Sequence, residues 1–432
     1  MIATLLFTAF VVFMFLGVPI GAALGLAGAA AIALANQDTQ WFGLLAVPQN
    51  FYAGLGKYPL LAIPMFVLVG SIFDRSGVAL RLVNFAVAIV GRGPGMLPLV
   101  AISVAMFMGG ISGSGPATAA AVGGVMIAAM SRAGYPAAFS ASVVAAAAST
   151  DILIPPSIAF IVYSVLVSGA SVPALFVAGM LPGILAGLAL IIPAVWLSRR
   201  HKMGQNEAGE PRPPFWKSLR EASWGLMAPV VILGGMRMGW FTPTEAAVVA
   251  VFYGLFVGMV VHRTIGVRDL FTILREAGEL SAVILIVVSL AGIFAFSLST
   301  LGVIDPITRA IVQSGMSEWA VMTCILVLLL VMGMLLDGIS IMLIFVPLAM
   351  PLLLHYQWDT VWFGTVLVLC IAIGQFTPPM AVNLMVAAKI ANVRMEATTR
   401  WVLWMVLAMT LATLIVVAFP QISLWLPTQL GY

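Results

Sequence analysis

The sequence predicts an all-α, polytopic membrane protein built from two inverted-topology repeats, each holding a re-entrant helical hairpin and a discontinuous helix. Three observations predict it: an apolar composition, one basic linker near mid-chain, and Gly/Pro helix breaks that recur at a fixed offset. With 62% hydrophobic and 8% charged residues over 432 positions, and a mean hydropathy of +1.16, the chain has too few charges to coat a soluble surface. Membrane lipid is its predicted solvent. Spans of about 20 apolar residues recur along nearly the whole sequence, so no soluble enzyme module is expected. Residues 1–15 are apolar and lack a Lys/Arg start, so they read as a first spanning helix and not as a cleaved signal.

The net charge of +4 resides in short inter-helix segments, with no basic stripe interleaved with aromatics. That excludes a nucleic-acid partner and fits the positive-inside rule. Segment 199–220 holds six Lys/Arg, two Glu and the run Pro211, Arg212, Pro213, Pro214, which no bilayer core accepts. It divides the chain into a first repeat, 1–198, a cytoplasmic linker, 199–220, and a second repeat, 221–432. Residues 1–35 and 402–432 contain no Lys or Arg, which puts both termini in the periplasm of a bacterial inner membrane. A cytoplasmic join and periplasmic ends require each half to cross an odd number of times, so the second half is upside down relative to the first.

The halves also match in sequence. At an offset of 223 residues Pro155-Pro156 falls on Pro378-Pro379 and Gly115 on Gly338. Near that offset Pro19 meets Pro243, and Gly77-Val78 meets Gly302-Val303 two residues out of step. The hairpin and broken helix of each half should therefore occupy about 96–168 and about 318–392.

The breaks themselves carry the chemistry. Gly109-Gly110-Ile111-Ser112-Gly113-Ser114-Gly115-Pro116 interrupts an apolar run over 96–130, and Ser149-Thr150-Asp151-Ile152-Leu153-Ile154-Pro155-Pro156-Ser157 interrupts the next. The second half repeats both with Asp337-Gly338-Ile339-Ser340 and with Gly374-Gln375-Phe376-Thr377-Pro378-Pro379 leading to Asn383. Proline donates no backbone hydrogen bond and glycine weakens a helix. Irregular backbone at membrane depth is tolerated only where it is buried in protein or lines a wet cavity. A half-helix N-terminus suits a carboxylate or sulfonate, and a half-helix C-terminus suits Na⁺. Ser112, Ser114, Thr118, Ser157, Ser340, Thr377 and Asn383 add neutral hydroxyl and amide groups there. Asp151 and Asp337, expensive at a helix centre, should be linked to a cation or cap a half-helix.

Other features read blandly. Thr242-Pro243-Thr244-Glu245 is a capping box with proline at the first helical position. Cys324 and Cys370 stand alone, without disulfide or zinc-ligand spacing, and read as core residues. The 25 methionines form no tight cluster with His or Cys, so no metal site is expected. His201, His262 and His355 fit interface positions. There is no His-Glu-x-x-His, paired-Asp or Walker A motif, so neither enzymatic catalysis nor ATP drive is expected.

Several of these strings together resemble the large membrane subunit of tripartite ATP-independent periplasmic (TRAP) transporters, the DctM type. They are Gly110-Ile111-Ser112-Gly113-Ser114, Ile154-Pro155-Pro156-Ser157, Pro182-Gly183, Phe241-Thr242-Pro243-Thr244-Glu245-Ala246-Ala247 and Thr377-Pro378-Pro379, and they follow the family's order over nearly the whole chain. The resemblance implies Na⁺-coupled uptake of a small organic acid, a C4-dicarboxylate or related carboxylate or sulfonate. It also implies a periplasmic substrate-binding protein of the DctP type, a small membrane subunit of the DctQ type, and an elevator in which the hairpins slide against a scaffold. No cofactor is implied beyond Na⁺ as coupling ion. Two cation sites would map onto Ser112, Gly113, Ser114, Thr150 and Asp151, and onto Asp337, Gly338, Ser340, Gly374 and Thr377. Substrate would lie between them, near Ser114, Thr118, Pro156, Ser157, Pro379 and Asn383.

The chain departs from that family in two places. Where many members read Ser-Ser-Val-Ala-Asp, it has Ser114-Gly115-Pro116-Ala117-Thr118, and Asp151 stands where glycine is usual. A carboxylate lost at Thr118 and gained at Asp151 would be a compensating exchange or a retuning for another acid. The rival readings are a stand-alone Na⁺/dicarboxylate symporter of related architecture, which needs no binding protein, and a passive channel, which needs no cation site.

Overall fold

Glycine and proline punctuation sets the element order in the computed structural model, which describes residues 2–35, 42–91, 93–205 and 212–432. Pro211 and the rest of 206–211 in the linker lie outside the described residues. The first repeat runs α1 Ile2–Phe15, α2 Ile20–Ala35, α3 Phe42–Leu55, α4 Ala62–Arg75 and α5 Val78–Val90. Next come α6 Met96–Ser112 and α7 Gly115–Arg132 as a hairpin, then α8 Ala137–Ala148 and α9 Ile158–Leu166 as a broken helix, then α10 Val172–Arg200. The second repeat runs α11 Phe215–Arg237, α12 Pro243–Leu255, α13 Val267–Thr300 and α14 Ile304–Gln313. Its hairpin is α15 Glu318–Gly333 with α16 Gly338–Tyr356, its broken helix α17 Thr360–Gly374 with α18 Val382–Ile390, followed by α19 Met395–Ala418 and α20 Gln421–Leu430. No strand occurs among the described residues.

Contacts within the chain show the inversion. At one face Phe139, just after hairpin 1, and His201, at the end of α10, both lie 5.3 Å from the Trp401 ring at the start of α19. At the opposite face Tyr163 near the end of α9 donates to the Thr360 carbonyl at 2.8 Å, and Trp358 Nε1 after hairpin 2 donates to Glu318 at its entrance at 2.6 Å. The hairpins thus enter from opposite sides. Six helices among the described residues are long and apolar enough to cross a membrane, by length and composition. Leu403, Leu407, Leu411 and Ile415 of α19 are exposed one turn apart, the stripe a lipid-facing helix presents.

The repeats differ where the punctuation differs. Residues 42–75 break into α3 and α4 at Gly56, Lys57 and Pro59, whereas α13 carries no Pro and runs unbroken for 34 residues. The α13 backbone is reached through a glycine stripe on α2. A Cβ on Gly25 would sit 2.6 Å from a Leu290 methyl, and one on Gly28 would sit 3.0 Å from Phe294 Cα. Small residues one turn apart permit such close approach in lipid, and Ser297 Oγ adds a 3.0 Å hydrogen bond to the Gly28 carbonyl. Gly28→Val is therefore expected to destabilise the chain by about 1–3 kcal/mol through overpacking, read as a lowered Tm in detergent.

Thr242 and Glu245 form the expected capping box at α12, with Thr242 N–H donating to Glu245 Oε2 at 2.8 Å. One expectation fails. Cys370 is buried but Cys324 is exposed, because α15 turns that face outward, as exposed Val327, Leu328 and Val331 on the same helix also show. An apolar residue in a membrane chain can face lipid as readily as the core, and hydropathy does not separate the two.

Candidate functional site

All four helix breaks meet around one cavity of about 300 Å³. Hairpin 1 turns at Gly113, whose φ of +65° suits glycine, and α7 then restarts behind an extended Ser114. The α8/α9 break passes through a short 3₁₀ turn, Ser149–Ile152, and a cis Pro155-Pro156 bond. Hairpin 2 turns between Gly333 and Gly338, and the α17/α18 break passes through a cis Pro378-Pro379 bond. From these breaks Ser114, Gly115, Asp337, Gly338, Gly374 and Gln375 reach the cavity wall. The remaining wall is a strip of α13: Leu280, Val283, Ile284 and Val287, with no polar side chain.

Each hairpin touches the break that follows it. In the first repeat Asp151 is fully buried and ties two segments together: its Oδ1 accepts from Gly113 N–H at 3.1 Å and its Oδ2 from Thr118 Oγ1 at 2.6 Å. A Cβ on Gly109 would lie 2.9 Å from Asp151 Cα. In the second repeat the residue 223 positions on from Asp151 is Gly374, and a Cβ there would lie 2.5 Å from Gly333 Cα. Across the repeats Gly115 faces the other break directly, since its Cβ would fall 2.5 Å from Gln375 Oε1 and 2.8 Å from Asn383 Nδ2.

The four restarting helices differ at their N-termini. Asp337 caps α16, accepting from Ile339 N–H and Ser340 N–H at 3.1 Å each, while Ser340 Oγ donates to its other oxygen at 2.5 Å. Ser157 caps α9 through Phe160 N–H. Neither Ser114 at α7 nor Ala381 at α18 supplies a side-chain cap. The starts of α7 and α18, brought together by Gly115, Gln375 and Asn383, thus lack a cap from their own N-cap side chains; at α18 the Asn383 N–H donates to the Gln375 carbonyl at 2.9 Å, and Asp151 lies at the start of α7.

Several sequence-chosen hydroxyls are engaged within the protein. Ser157 Oγ donates to the Ile152 carbonyl at 2.5 Å, Thr150 Oγ1 to Ala147 at 2.7 Å and Thr377 Oγ1 to Ile373 at 2.6 Å. These three, with Thr118, Pro156 and Ser340, lie behind the cavity wall, and Pro379 is exposed beside it. Two buried acceptors at the breaks have no partner: Ser112 Oγ and Asn383 Oδ1. Such groups are expensive unless something fills them. Ser112 Oγ faces α4, where a Cβ on Gly70 would meet it at 3.1 Å, and one turn further on Asp74 Oδ1 is also unpartnered. Sequence reasoning passed over Gln375, which accepts from Asn383 Nδ2 at 3.2 Å, and the α13 wall. Gln375 lies inside the Gly374 to Pro379 string and could have been chosen there; the wall carries no local signal.

Comparison with known proteins agrees with this architecture. Residues 7–422 match the family described as "Tripartite ATP-independent periplasmic transporter, DctM component". The chain is 37% identical over 420 residues to the isethionate TRAP transporter permease protein DctMQ of Oleidesulfovibrio alaskensis, covering 97% of this chain and 65% of that longer relative. It is 36% identical over 408 residues to the C4-dicarboxylate TRAP transporter large permease protein DctM of Pseudomonas aeruginosa, covering 94% of both. The crystal structure of the Alcanivorax borkumensis YdaH transporter, described as having an unusual topology, superposes with a TM-score of 0.64 at 13% identity over 91% of this chain and 90% of that one, a likeness of fold alone. A family match over nearly the full length, joined to a full-length relative above 30% identity, places the chain in the DctM family of TRAP transporter large permease subunits.

Proposed function

We propose that this chain carries a small organic acid across the bacterial inner membrane together with Na⁺, by an elevator movement of the hairpins against α13. The observation that supports it best is the make-up of the cavity wall. Every polar group on it comes from the broken helices, and the α13 strip is wholly aliphatic. A ligand held by the breaks makes no hydrogen bond to that strip, so breaks and ligand can slide past it together without losing one.

In this reading the acid group of the substrate lies between the starts of α7 and α18, hydrogen-bonded by Ser114 and Gln375, with Asn383 behind Gln375 and donating to it. Thr118, Pro156, Ser157 and Pro379 shape that site from behind or beside it. One cation lies at Ser112, Gly113, Ser114, Thr150 and Asp151, where Ser112 Oγ lacks a partner. The second lies at Asp337, Gly338, Ser340, Gly374 and Thr377. Both sites offer oxygens, as a hard cation requires, and Na⁺ is cargo rather than a resident metal. The substrate is a C4-dicarboxylate or a related carboxylate or sulfonate, as the names of the two relatives suggest. A DctP-type periplasmic binding protein delivers it, a DctQ-type small subunit braces the scaffold, and both termini face the periplasm.

The test is uptake into proteoliposomes holding this chain and its small subunit, with a labelled C4-dicarboxylate or labelled isethionate. Uptake is expected only with an inward Na⁺ gradient and the cognate binding protein together. Uptake by this chain alone would make it a stand-alone symporter, and a sodium-independent leak would make it a channel. Within the working system, Ser114→Ala is expected to raise the substrate concentration for half-maximal uptake roughly tenfold, the effect of about 1.4 kcal/mol of lost binding.

A further inference from the structure

On the side of the membrane where α10 meets the linker, a groove remains that the transport reading does not use. Its floor is aliphatic: Leu99 of α6 with Ile191, Ile192 and Val195 of α10. Trp196, Arg199 and Arg200 stand at its head. The Arg200 guanidinium stacks 4.9 Å from the Trp196 ring centre, and Trp196 is braced by Trp404 of α19 at 5.2 Å. Stacking occupies the face of a guanidinium and leaves its N–H edge free to grip an oxyanion with two bonds.

Beyond this stacking, these arginines have no other polar side-chain partner among the described residues. Among the described residues neither Arg199 nor Arg200 forms an ion pair with a carboxylate. The last carbonyls of α10 are satisfied without them, since Leu197 accepts from His201 N–H at 3.0 Å and Ser198 from Met203 N–H at 2.8 Å. Arg400 lies over Trp401 at 4.4 Å, and the Trp401 ring is 5.3 Å from His201 at the end of α10, so a further cation stands near this end of the helix. The floor runs down a membrane-spanning helix, and Ile192 is 71% exposed.

We propose that this groove binds an anionic phospholipid, with the headgroup phosphate between Arg199 and Arg200 and one acyl chain along Leu99, Ile191, Ile192 and Val195. Paired guanidiniums above an apolar channel match a phosphate joined to a hydrocarbon tail, and a soluble phosphate would leave the channel empty. Because α10 packs against α6, α17 and α19, the lipid sits on helices that adjoin hairpin 1 and the α17/α18 break.

The test is the Tm of the full chain in detergent, with added dioleoylphosphatidylglycerol, dioleoylphosphatidylcholine or inorganic phosphate. Phosphatidylglycerol is expected to raise Tm by roughly 3–5 °C more than phosphatidylcholine does, and inorganic phosphate is expected to leave it unchanged. The double variant Arg199→Gln/Arg200→Gln should lose that difference, and so should Ile192→Trp, which fills the channel and keeps both charges. If the double variant does not fold, Ile192→Trp decides, with retained phosphatidylglycerol counted by native mass spectrometry. Equal shifts from both lipids, a shift from phosphate alone, or a full phosphatidylglycerol shift in either folded variant would overturn the proposal.

Discussion

Replacing Asp151 with glycine is expected to abolish uptake, and adding Thr118→Asp to that variant is expected to restore it. The buried Asp151 carboxylate accepts from Gly113 N–H at 3.1 Å and Thr118 Oγ1 at 2.6 Å, so it clasps the hairpin 1 turn and the first turn of α7 to the α8/α9 break. Removing it leaves two buried donors without an acceptor. Hydrogen bonds to a charged group contribute about 1.5–3 kcal/mol each, so the junction loses roughly 3–6 kcal/mol, enough for more than a tenfold fall in uptake. The exchanged positions touch, which is why the repair should work: a carboxylate at 118 returns negative charge to the same point from the opposite side. Thr118→Asp alone puts two carboxylates within hydrogen-bonding distance of each other and should also lose uptake by repulsion. The measurement is the initial uptake rate of wild type, both single variants and the double variant, normalised to reconstituted protein, read as a double-mutant cycle. A double variant as inactive as Asp151→Gly would sink the exchange and make the location of the carboxylate, not its charge, the requirement.

The breaks were legible in the sequence because glycine and proline act on the backbone of their own position. Gly113, Gly115, Gly338 and the two proline pairs mark their turns whatever surrounds them, and their fixed offset exposes the duplication. Thr118 and Asp151 stood out in the sequence as two departures from one family pattern, a compensating exchange or a retuning for another acid, and that they touch is seen only in the structure. What each hydroxyl binds was not legible either. Ser157, Thr150 and Thr377 satisfy carbonyls within five residues of themselves, a local bond that competes with any ligand, and residue type alone cannot say which wins. Asp337 could be read as a cap of α16 in the sequence, but two serines that look alike there part in the structure: Ser157 caps α9, whereas Ser114 gives α7 no side-chain cap. The aliphatic α13 wall is read only from packing, because Val283 facing a cavity and Val283 facing lipid are the same letter in the same apolar run.

Gly374→Ala is the second change expected to stop transport, and it does so without touching a polar group. Hairpin 2 and the α17/α18 break cross at Gly333 and Gly374, where an added Cβ on Gly374 would lie 2.5 Å from the Cα and carbonyl oxygen of Gly333 and 2.6 Å from its carbonyl carbon. All three are backbone atoms, so no rotamer change relieves the overlap, and hairpin 2 must move away from the break. That movement separates Asp337 and Gly338 from Gly374 and Gln375 and opens the second cation site. Overpacking of a tight contact costs about 1–3 kcal/mol, so the chain should still fold, with a lowered Tm, while Na⁺-driven uptake falls more than tenfold and needs a higher Na⁺ concentration to reach half its maximum. Gly124→Ala is the control: it lies inside α7, nothing stands within 4 Å of its would-be Cβ, and alanine favours a helix over glycine. Its uptake and Na⁺ dependence should match wild type. If Gly374→Ala lowers Tm yet keeps the wild-type Na⁺ dependence, the crossing serves stability alone and the second cation site lies elsewhere.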